Sequence, residues 1–559
     1  MAFIDAARAA RSRLPDLWTL GALLIAAAIL TPIFAVGWMA FFPRENIWPH
    51  LLATVLPGYV WNSVILMAMT GLGAAMIGTG AAWLTVMTDF PGRRFFDWAM
   101  LAPLAVPAYI GAYALTDFLE YSGPVQVGLR ELFGWRDSRD YWFPEIRTIW
   151  SAGFVLTLSL YPYVYLLARA AFREQSVCAL EVARSLGCGP WETFFRVALP
   201  LARPAVAAGV AVVMMETLND FGAVDYFAVR TLTAGVFSVW LEGSNVGGAA
   251  QISCVILVFV LLLIGLESAG RRGRRFHSLS RRYRPIERTR LAGWRGRAAC
   301  LACAAPLLFG FVLPMLVIGA RALERPEGWL APAFHEAAVR TVWLGAAAAL
   351  IAVTAGLFLA FGARRAEGRA PVLIARATMI GYAAPGAVLA VGVLIPLAAL
   401  DRTIHYTMLD LFGFGTGLLL TGSAAAVIFA YVVRFNAIAY GALDGALGRV
   451  TPSMDMAART LGSGPGGALR RVHLPIISGS MATAAILIFV DAVKELPATL
   501  ILRPFNFSTL ATYVYDYAGR EHLAEAAPAA LTIVAVGLLP VAILVRGLGG
   551  RRPGEAPPD

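Results

Sequence analysis

"EVARSLGCGPWETFFRVALP" occupies residues 181–200, and "MAARTLGSGPGGALRRVHLP" occupies residues 456–475. The passages lie 275 positions apart and share 10 of their 20 residues, among them Arg184/Arg459, Gly187/Gly462, Gly189/Gly464, Pro190/Pro465 and the closing Leu199-Pro200 and Leu474-Pro475. In the first copy, 177–187 reads as a short helix, with Val177, Leu180, Ala183 and Leu186 spaced along one apolar face. Gly187-Cys188-Gly189-Pro190 breaks it, because glycine accepts φ > 0 and proline can open a following helix at its first turn. The segment 191–199 then reads as a second short helix stopped at Pro200. The second copy repeats the pattern at 454–461, Gly462-Ser463-Gly464-Pro465 and 468–474. Two polar turns of this kind look like docking knobs, the bland alternative being helices that lie on lipid headgroups.

The passages are set in a very apolar chain. Of 559 residues, 59% are hydrophobic and 14% charged, against about 25% charged in soluble domains. Apolar windows long enough to cross a bilayer fall at 17–41, 62–87, 98–118, 150–171, 205–228, 251–269, 298–320, 341–363, 377–400, 413–433, 479–502 and 528–545, with proline inside those near 98–118 and 377–400. The first window follows Arg8, Arg11 and Arg13 as a signal peptide would. Its 25 uncharged residues exceed the roughly 7–15 of a signal core, so a retained helix is expected. The fold class read here is all-α and polytopic.

Arginine placement sets the orientation. Arg93 and Arg94, then Arg173, Arg184, Arg196 and Arg203, then Arg364, Arg365 and Arg369 fall in one set of loops; the segment 271–297 adds eleven arginines against Glu287 alone. Alternate loops such as 121–149 balance arginine with acid. Both termini and both repeated passages are therefore expected on the cytoplasmic side. The net charge of +11 is then a topology signal; nucleic acid would require a basic face with base-reading residues, which these loops lack. Cys300 and Cys303 form a CxxC at the start of an apolar window, with no second pair and no nearby histidine; together with Cys178, Cys188 and Cys254 they read as small packing residues, not metal or redox groups.

The duplication reaches far beyond the quoted passages. Residues 61–75 match 339–353, and Pro107 matches Pro385, at an offset of 278. After the polar passage, 216–240 lies over 491–515 at 275. The expected organisation is a first six-helix half, 1–269 (core 58–268), an arginine-rich linker, 270–297, and a second half, 298–559 (core 337–546). Six spans per half make the repeat parallel, with an axis along the membrane normal and a path at its centre.

With the repeat placed in six-helix units, the pattern Glu-Ala-Ala, three residues, Gly, then a run to Leu-Pro resembles the coupling loop of type I ABC importer permeases. The first copy carries Glu181, Ala183, Gly187, Phe194, Leu199 and Pro200, with Val182 in place of the first alanine. The second carries Ala457, Ala458, Gly462, Leu474 and Pro475, and departs at Met456, where Glu is expected; Asp455 stands next to it. The resemblance implies a bacterial inner-membrane subunit whose loops dock into two ATP-hydrolysing partner subunits and which takes substrate from one extracytoplasmic binding protein. It implies no catalytic residue and no cofactor of the chain's own. Consistent with that, the chain's single lysine, Lys494, follows Asp-Ala-Val, so no Walker A sequence exists.

The span after each passage carries costly intramembrane polarity: Glu216, Asn219 and Asp220 in one half, Asp491, Lys494 and Glu495 in the other, all at offset 275. Their i, i+3, i+4 spacing places each trio on one helix face. These six are the candidate translocation-pathway residues. The competing readings are wet interfacial charge, or Lys494 neutralising Asp491 and Glu495. "NDFGAVDYF" (219–227) and "KELPATLILRPFNFSTLATYVY" (494–515) resemble segments of ferric-iron permeases of that family, which are commonly fused into one chain. Hard oxygen ligands suit such a cation. Thiamine, polyamine and phosphonate importers share the architecture, and an ion-coupled secondary transporter would also have parallel halves, though no use for duplicated coupling loops. An enzyme finds no support: His50, His277, His335, His405, His473 and His522 are dispersed, and no HExxH occurs.

Overall fold

The computed structural model describes residues 17–175, 181–183, 185–271, 288–366 and 368–548. Long apolar helices dominate it. They are α1 (Leu17–Phe41), α2 (Leu56–Met87), α3 (Ala108–Leu119), α4 (Ile149–Glu174), α5 (Leu199–Asn219), the short α6 (Gly222–Tyr226), α7 (Val246–Arg271), α8 (Trp294–Glu324), α9 (Pro332–Arg365), α10 (Gly386–Phe412), α11 (Ala424–Leu447), α12 (Leu474–Val493), the short α13 (Pro497–Leu502) and α14 (Leu523–Leu548). Eleven helices among the described residues can cross a membrane; a twelfth span is the pair Arg93–Ala105 and Ala108–Phe133, bent by 93°. The bend falls at Pro107, which has no N–H to continue a helix and takes an extended ψ of 141° as N-cap of α3. Among the described residues the only strand pairing joins Thr88–Asp89 to Thr289–Arg290.

Several windows are displaced from their expected positions. The window at 413–433 is helical only from Ala424, since Gly413 ends α10 with φ +74° and positive-φ glycines follow at 417 and 422. The window at 377–400 is divided into Ala370–Ala377, Ile380–Ala383 and α10, with Pro385 as N-cap. The four described cysteines, Cys188, Cys254, Cys300 and Cys303, form no disulfide; Cys178, Val177 and Leu180 lie outside the described residues.

Packing groups the chain differently from the sequence halves. One compact unit comprises the described residues of Met1–Ile47, Val239–Cys254 and His335–Thr512; the other comprises Trp48–Ser238, Val255–Phe334 and the described residues of Tyr513–Asp559. Each unit contains the same close helix crossing. A Cβ at Gly78 in α2 would lie 2.8 Å from Tyr165 N in α4, and a Cβ at Gly356 in α9 would lie 3.0 Å from Tyr440 N in α11. Only glycine lets the backbones approach so closely, as in small-residue membrane interfaces. Both units also anchor a later helix start in the same way. Leu232 N–H donates to Ser63 Oγ at 2.9 Å, and Leu510 N–H donates to Thr341 Oγ1 at 2.7 Å. These last equivalences differ by 278, so the constant offset of 275 expected through 240 and 515 holds only as far as α6 and α13. Three extra residues lie in the second copy's loop before Thr509, which aligns with Thr231; each threonine accepts from the N–H three residues on.

Candidate functional site

The repeated polar passage has one backbone in both copies. Gly187 takes φ +84° and Gly462 takes φ +76°. At the first turn Cys188 N–H donates to Ala183 O at 3.0 Å, and at the second Ser463 N–H donates to Ala458 O at 2.9 Å. This six-residue closure around a left-handed glycine is a Schellman C-cap. Ala183 and Ala458 are buried against it, while Glu181, Met456 and Ala457 are exposed. Of the apolar face expected for the first helix, Val177 and Leu180 lie outside the described residues, Ala183 is buried, and Leu186 is 78% exposed, as is its partner Leu461 at 84%.

After the turn the chain does not form a short helix stopped by proline. Pro190 and Pro465 open continuous helices, Pro190–Asn219 and Pro465–Val493. Each passes Leu-Pro through one π turn, Phe194–Ala198 and Leu469–His473. In that turn Leu199 N–H reaches Phe194 O, and Leu474 N–H reaches Leu469 O. The widened register absorbs Pro200 and Pro475, which lack an N–H and whose rings crowd the preceding turn. Leu199, Pro200, Leu474 and Pro475 therefore sit inside the path from turn to membrane.

Side chains at the two turns differ. In the first, Glu192 Oε2 accepts from Gly189 N–H at 3.4 Å and Glu192 Oε1 pairs with Arg196 at 3.5 Å; Trp191 and Phe195 are exposed. In the second the aligned residues are Gly467, Arg471, Gly466 and Arg470. Asp455, expected to stand in for the missing glutamate, turns inward. Its Oδ1 lies 2.6 Å from His473 Nε2 and its Oδ2 accepts from Arg364 Nη2 at 3.1 Å. Partial burial opposes the charge, but the hydrogen bonds from His473 and Arg364 prevail and hold the Asp455 carboxyl below its usual range. Arg364 also donates to Leu447 O and Val450 O, so one guanidinium joins the ends of α9 and α11 to the helix Pro452–Thr460. At the aligned positions the first copy has Val86, Leu180 and Ala198. There Gln175 Nε2 donates to Ala198 O at 2.7 Å.

Further along, both helices break at the same place, and the polar trios sit at the break, not on one helical face. α5 ends at Asn219 and α12 at Val493. Asp220 Oδ1 accepts from Ala223 N–H and Val224 N–H, both at 3.1 Å, and so caps α6. Glu495 Oε1 accepts from Ala498 N–H and Oε2 from Thr499 N–H, both at 3.2 Å, and caps α13. Glu495 is also paired with Arg434 Nη1 at 3.0 Å, and Lys494 Nζ is 2.9 Å from Asp491 Oδ1. Thus Lys494 neutralises Asp491, whereas Glu495 takes its cation from α11. Asn219 is buried with Oδ1 unmatched among the described residues, and Glu216 is half-buried on the last turn of α5. The Arg434 pairing, 61 residues away in sequence, left no local signal; the capping role was legible as an acid three to four residues before the N–H groups it binds.

The chain matches the family model for binding-protein-dependent transport system inner membrane components over residues 74–270. It is 26% identical to the Fe(3+)-transport system permease protein FbpB 2 of Haemophilus influenzae, over 86% of this chain and 88% of that protein. It is 22% identical to the ferric transport system permease protein FbpB of Actinobacillus pleuropneumoniae, over 88% of this chain and 72% of that one. It is 30% identical to a probable sulfate transport system permease protein, cysT, of Chlorokybus atmophyticus, over 37% of this chain and 72% of that protein. With its duplicated turns, its multi-pass helices and these matches, the chain belongs to the binding-protein-dependent transport system inner membrane components and is an importer permease of that class.

Proposed function

We propose that the chain is the membrane permease of an ATP-driven ferric-iron importer, driven at two turns by two ATPase subunits and supplied by one extracytoplasmic binding protein. The observation that carries the coupling role is the conformational identity of the Gly187 and Gly462 turns, each continuous through a π turn with a membrane helix that breaks at an acidic cap. A push on either turn has a rigid route to the break, because a continuous helix transmits displacement along its axis. Exposed Glu181, Leu186, Met456 and Leu461 supply the surface a partner groove would cover. Both termini lie on the cytoplasmic side in this reading, following the arginine-rich loops.

Iron as cargo is supported by the relatives that span both halves, whose names specify ferric transport. The test is uptake of radiolabelled ferric iron into proteoliposomes holding the permease, its ATPase and its binding protein. Uptake that needs ATP and the binding protein is the expected result. ATP hydrolysis without iron uptake would retain the permease role and remove iron as the cargo.

A further inference from the structure

Beyond the break in α5, the chain gathers oxygen donors that its aligned half does not have. Tyr515 Oη donates to Asp225 Oδ2 at 2.7 Å, Asp225 lying on α6. The Tyr113 ring meets the Tyr226 ring edge-on, 4.5 Å between centroids, and Tyr226 is the neighbour of Asp225 in the chain. Tyr113 is 1% exposed, yet its hydroxyl has no hydrogen-bond partner among the described residues. A buried phenol ordinarily finds one. Here the ring that bears the unmatched hydroxyl packs on Tyr226, next in the chain to the carboxylate that Tyr515 binds.

The other copy of the repeat has none of these oxygens. Pro107 and Pro385 are equivalent N-caps, so Tyr113 aligns with Val391. Across α6 and α13, Asp225 aligns with Leu500 and Tyr226 with Ile501; in the later register Tyr515 aligns with Phe237. All four aligned positions thus carry hydrocarbon side chains in the other copy. The charge differs in the same sense, because Lys494 and Arg434 of the second half are replaced by Asn219 and Ser159.

We propose that Asp225, Tyr515 and Tyr113 form a transit site for a hard, highly charged cation, with ferric ion as its occupant. The identity of the occupant rests on the function proposed above. Phenolate and carboxylate are hard donors suited to such an ion. On binding, each phenol O–H breaks as an O–Fe bond forms, two protons pass to solvent, and the iron remains ferric, so no electron is exchanged. An oxyanion such as sulfate would meet repulsion from Asp225 at the same place.

The test uses the full chain with its ATPase in lipid nanodiscs, titrated with ferric nitrilotriacetate and read by phenolate-to-iron charge-transfer absorption. The wild-type protein is expected to develop the band saturably. Tyr113→Phe, Tyr515→Phe and Asp225→Asn should each weaken binding at least about tenfold, since even outer partners of metal ligands are worth that much. Tyr431→Phe removes a phenol bonded to Thr499 in the other half and should leave the band unchanged. Should Tyr113→Phe fail to assemble, Tyr515→Phe carries the test. A wild-type protein without the band, or a band indifferent to all three substitutions, overturns the site. ATP-driven iron uptake without any band would remove the site and keep the importer. A band without uptake would keep the cation site and remove iron as the transported cargo.

Discussion

At the first turn Gly187 has φ +84° and at the second Gly462 has φ +76°, whereas the side chains these turns present have little in common. The first copy shows Trp191 and Phe195 to solvent, and the second shows Arg470 and Arg471. In the sequence, Val86, Leu180 and Ala198 align with Arg364, Asp455 and His473 of the second copy. At the breaks, Asp220 and Glu495 make equivalent backbone caps, but Glu495 alone has the Arg434 ion pair. The duplicated features are those that fix the chain's path. The divergent ones set what the path is charged with. A turn can be kept by one glycine, because φ > 0 is set locally, while a salt bridge needs two partners to change together.

The largest effect should come from the shared feature. Proline holds φ near −65°, the opposite sign from Gly187 and Gly462, and at 462 it also deletes the N–H that donates to Arg459 O at 3.0 Å. Gly187→Pro and Gly462→Pro should each abolish ATPase association and uptake while the protein still inserts in the membrane, as co-purification and transport assays would show. A silent substitution in one copy would show that the chain is driven from the other alone.

Next in size is the contrast at the breaks. Glu495→Ala leaves Arg434, whose side chain is 13% exposed, without its carboxylate; breaking a buried pair typically costs about 3–5 kcal/mol. Asp220→Ala removes a helix cap, worth about 0.5–2 kcal/mol. Thermal unfolding of the two purified variants should rank them in that order. Equal losses would mean that the Arg434 pair adds nothing beyond capping.

The third comparison lies behind the turns. Asp455→Asn weakens the hydrogen bond to the Arg364 guanidinium, a charged bond worth about 1.5–3 kcal/mol, against about 0.5–1.5 for the neutral bond lost in Gln175→Ala. The Asp455 carboxyl is held below its ordinary value near 3.9. Its contribution is therefore complete at neutral pH and is lost only as pH falls through the lowered folded value. The stability gap between wild type and Asp455→Asn should persist down to about pH 5 and close below about 4. A gap already closing near pH 6 would contradict this assignment.

Much of this was legible because its causes are local. Glycine at 187 and 462 announced left-handed turns, long uncharged runs announced spans, and the recurrence of Pro107 as Pro385 announced matched breaks. The π turns were not legible. Leu-Pro reads as a helix stop, and only the five-residue register shown by Leu199 N–H and Phe194 O lets the helix continue. The role of Asp455 was misleading for a related reason. Adjacency to Met456 suggested a displaced surface charge, while the partners that turn it inward, Arg364 and His473, are 91 and 18 residues away. The grouping of α1 with residues of the second half is likewise decided by long-range packing.

The smallest effect concerns the carboxylate that one turn has and the other lacks. Glu192 bonds Gly189 N–H and pairs with Arg196 on a surface where the two side chains are 49% and 72% exposed, so Glu192→Ala should cost no more than about 0.5 kcal/mol. The reverse change is more informative. A Cβ at Gly467 would rest 3.4 Å from Ser463 Cβ, an ordinary contact, and Gly467→Glu replaces the poorest ordinary helix former by a good one near a helix start that favours negative charge. It should stabilise the second turn by about 0.5–1 kcal/mol, measured as a small rise in Tm. If the exposed Arg470 and Arg471 serve only the fold, uptake will be unchanged or improved. If uptake falls while Tm rises, the second turn needs those positive charges available to its partner, and the two turns dock by different chemistry on one backbone.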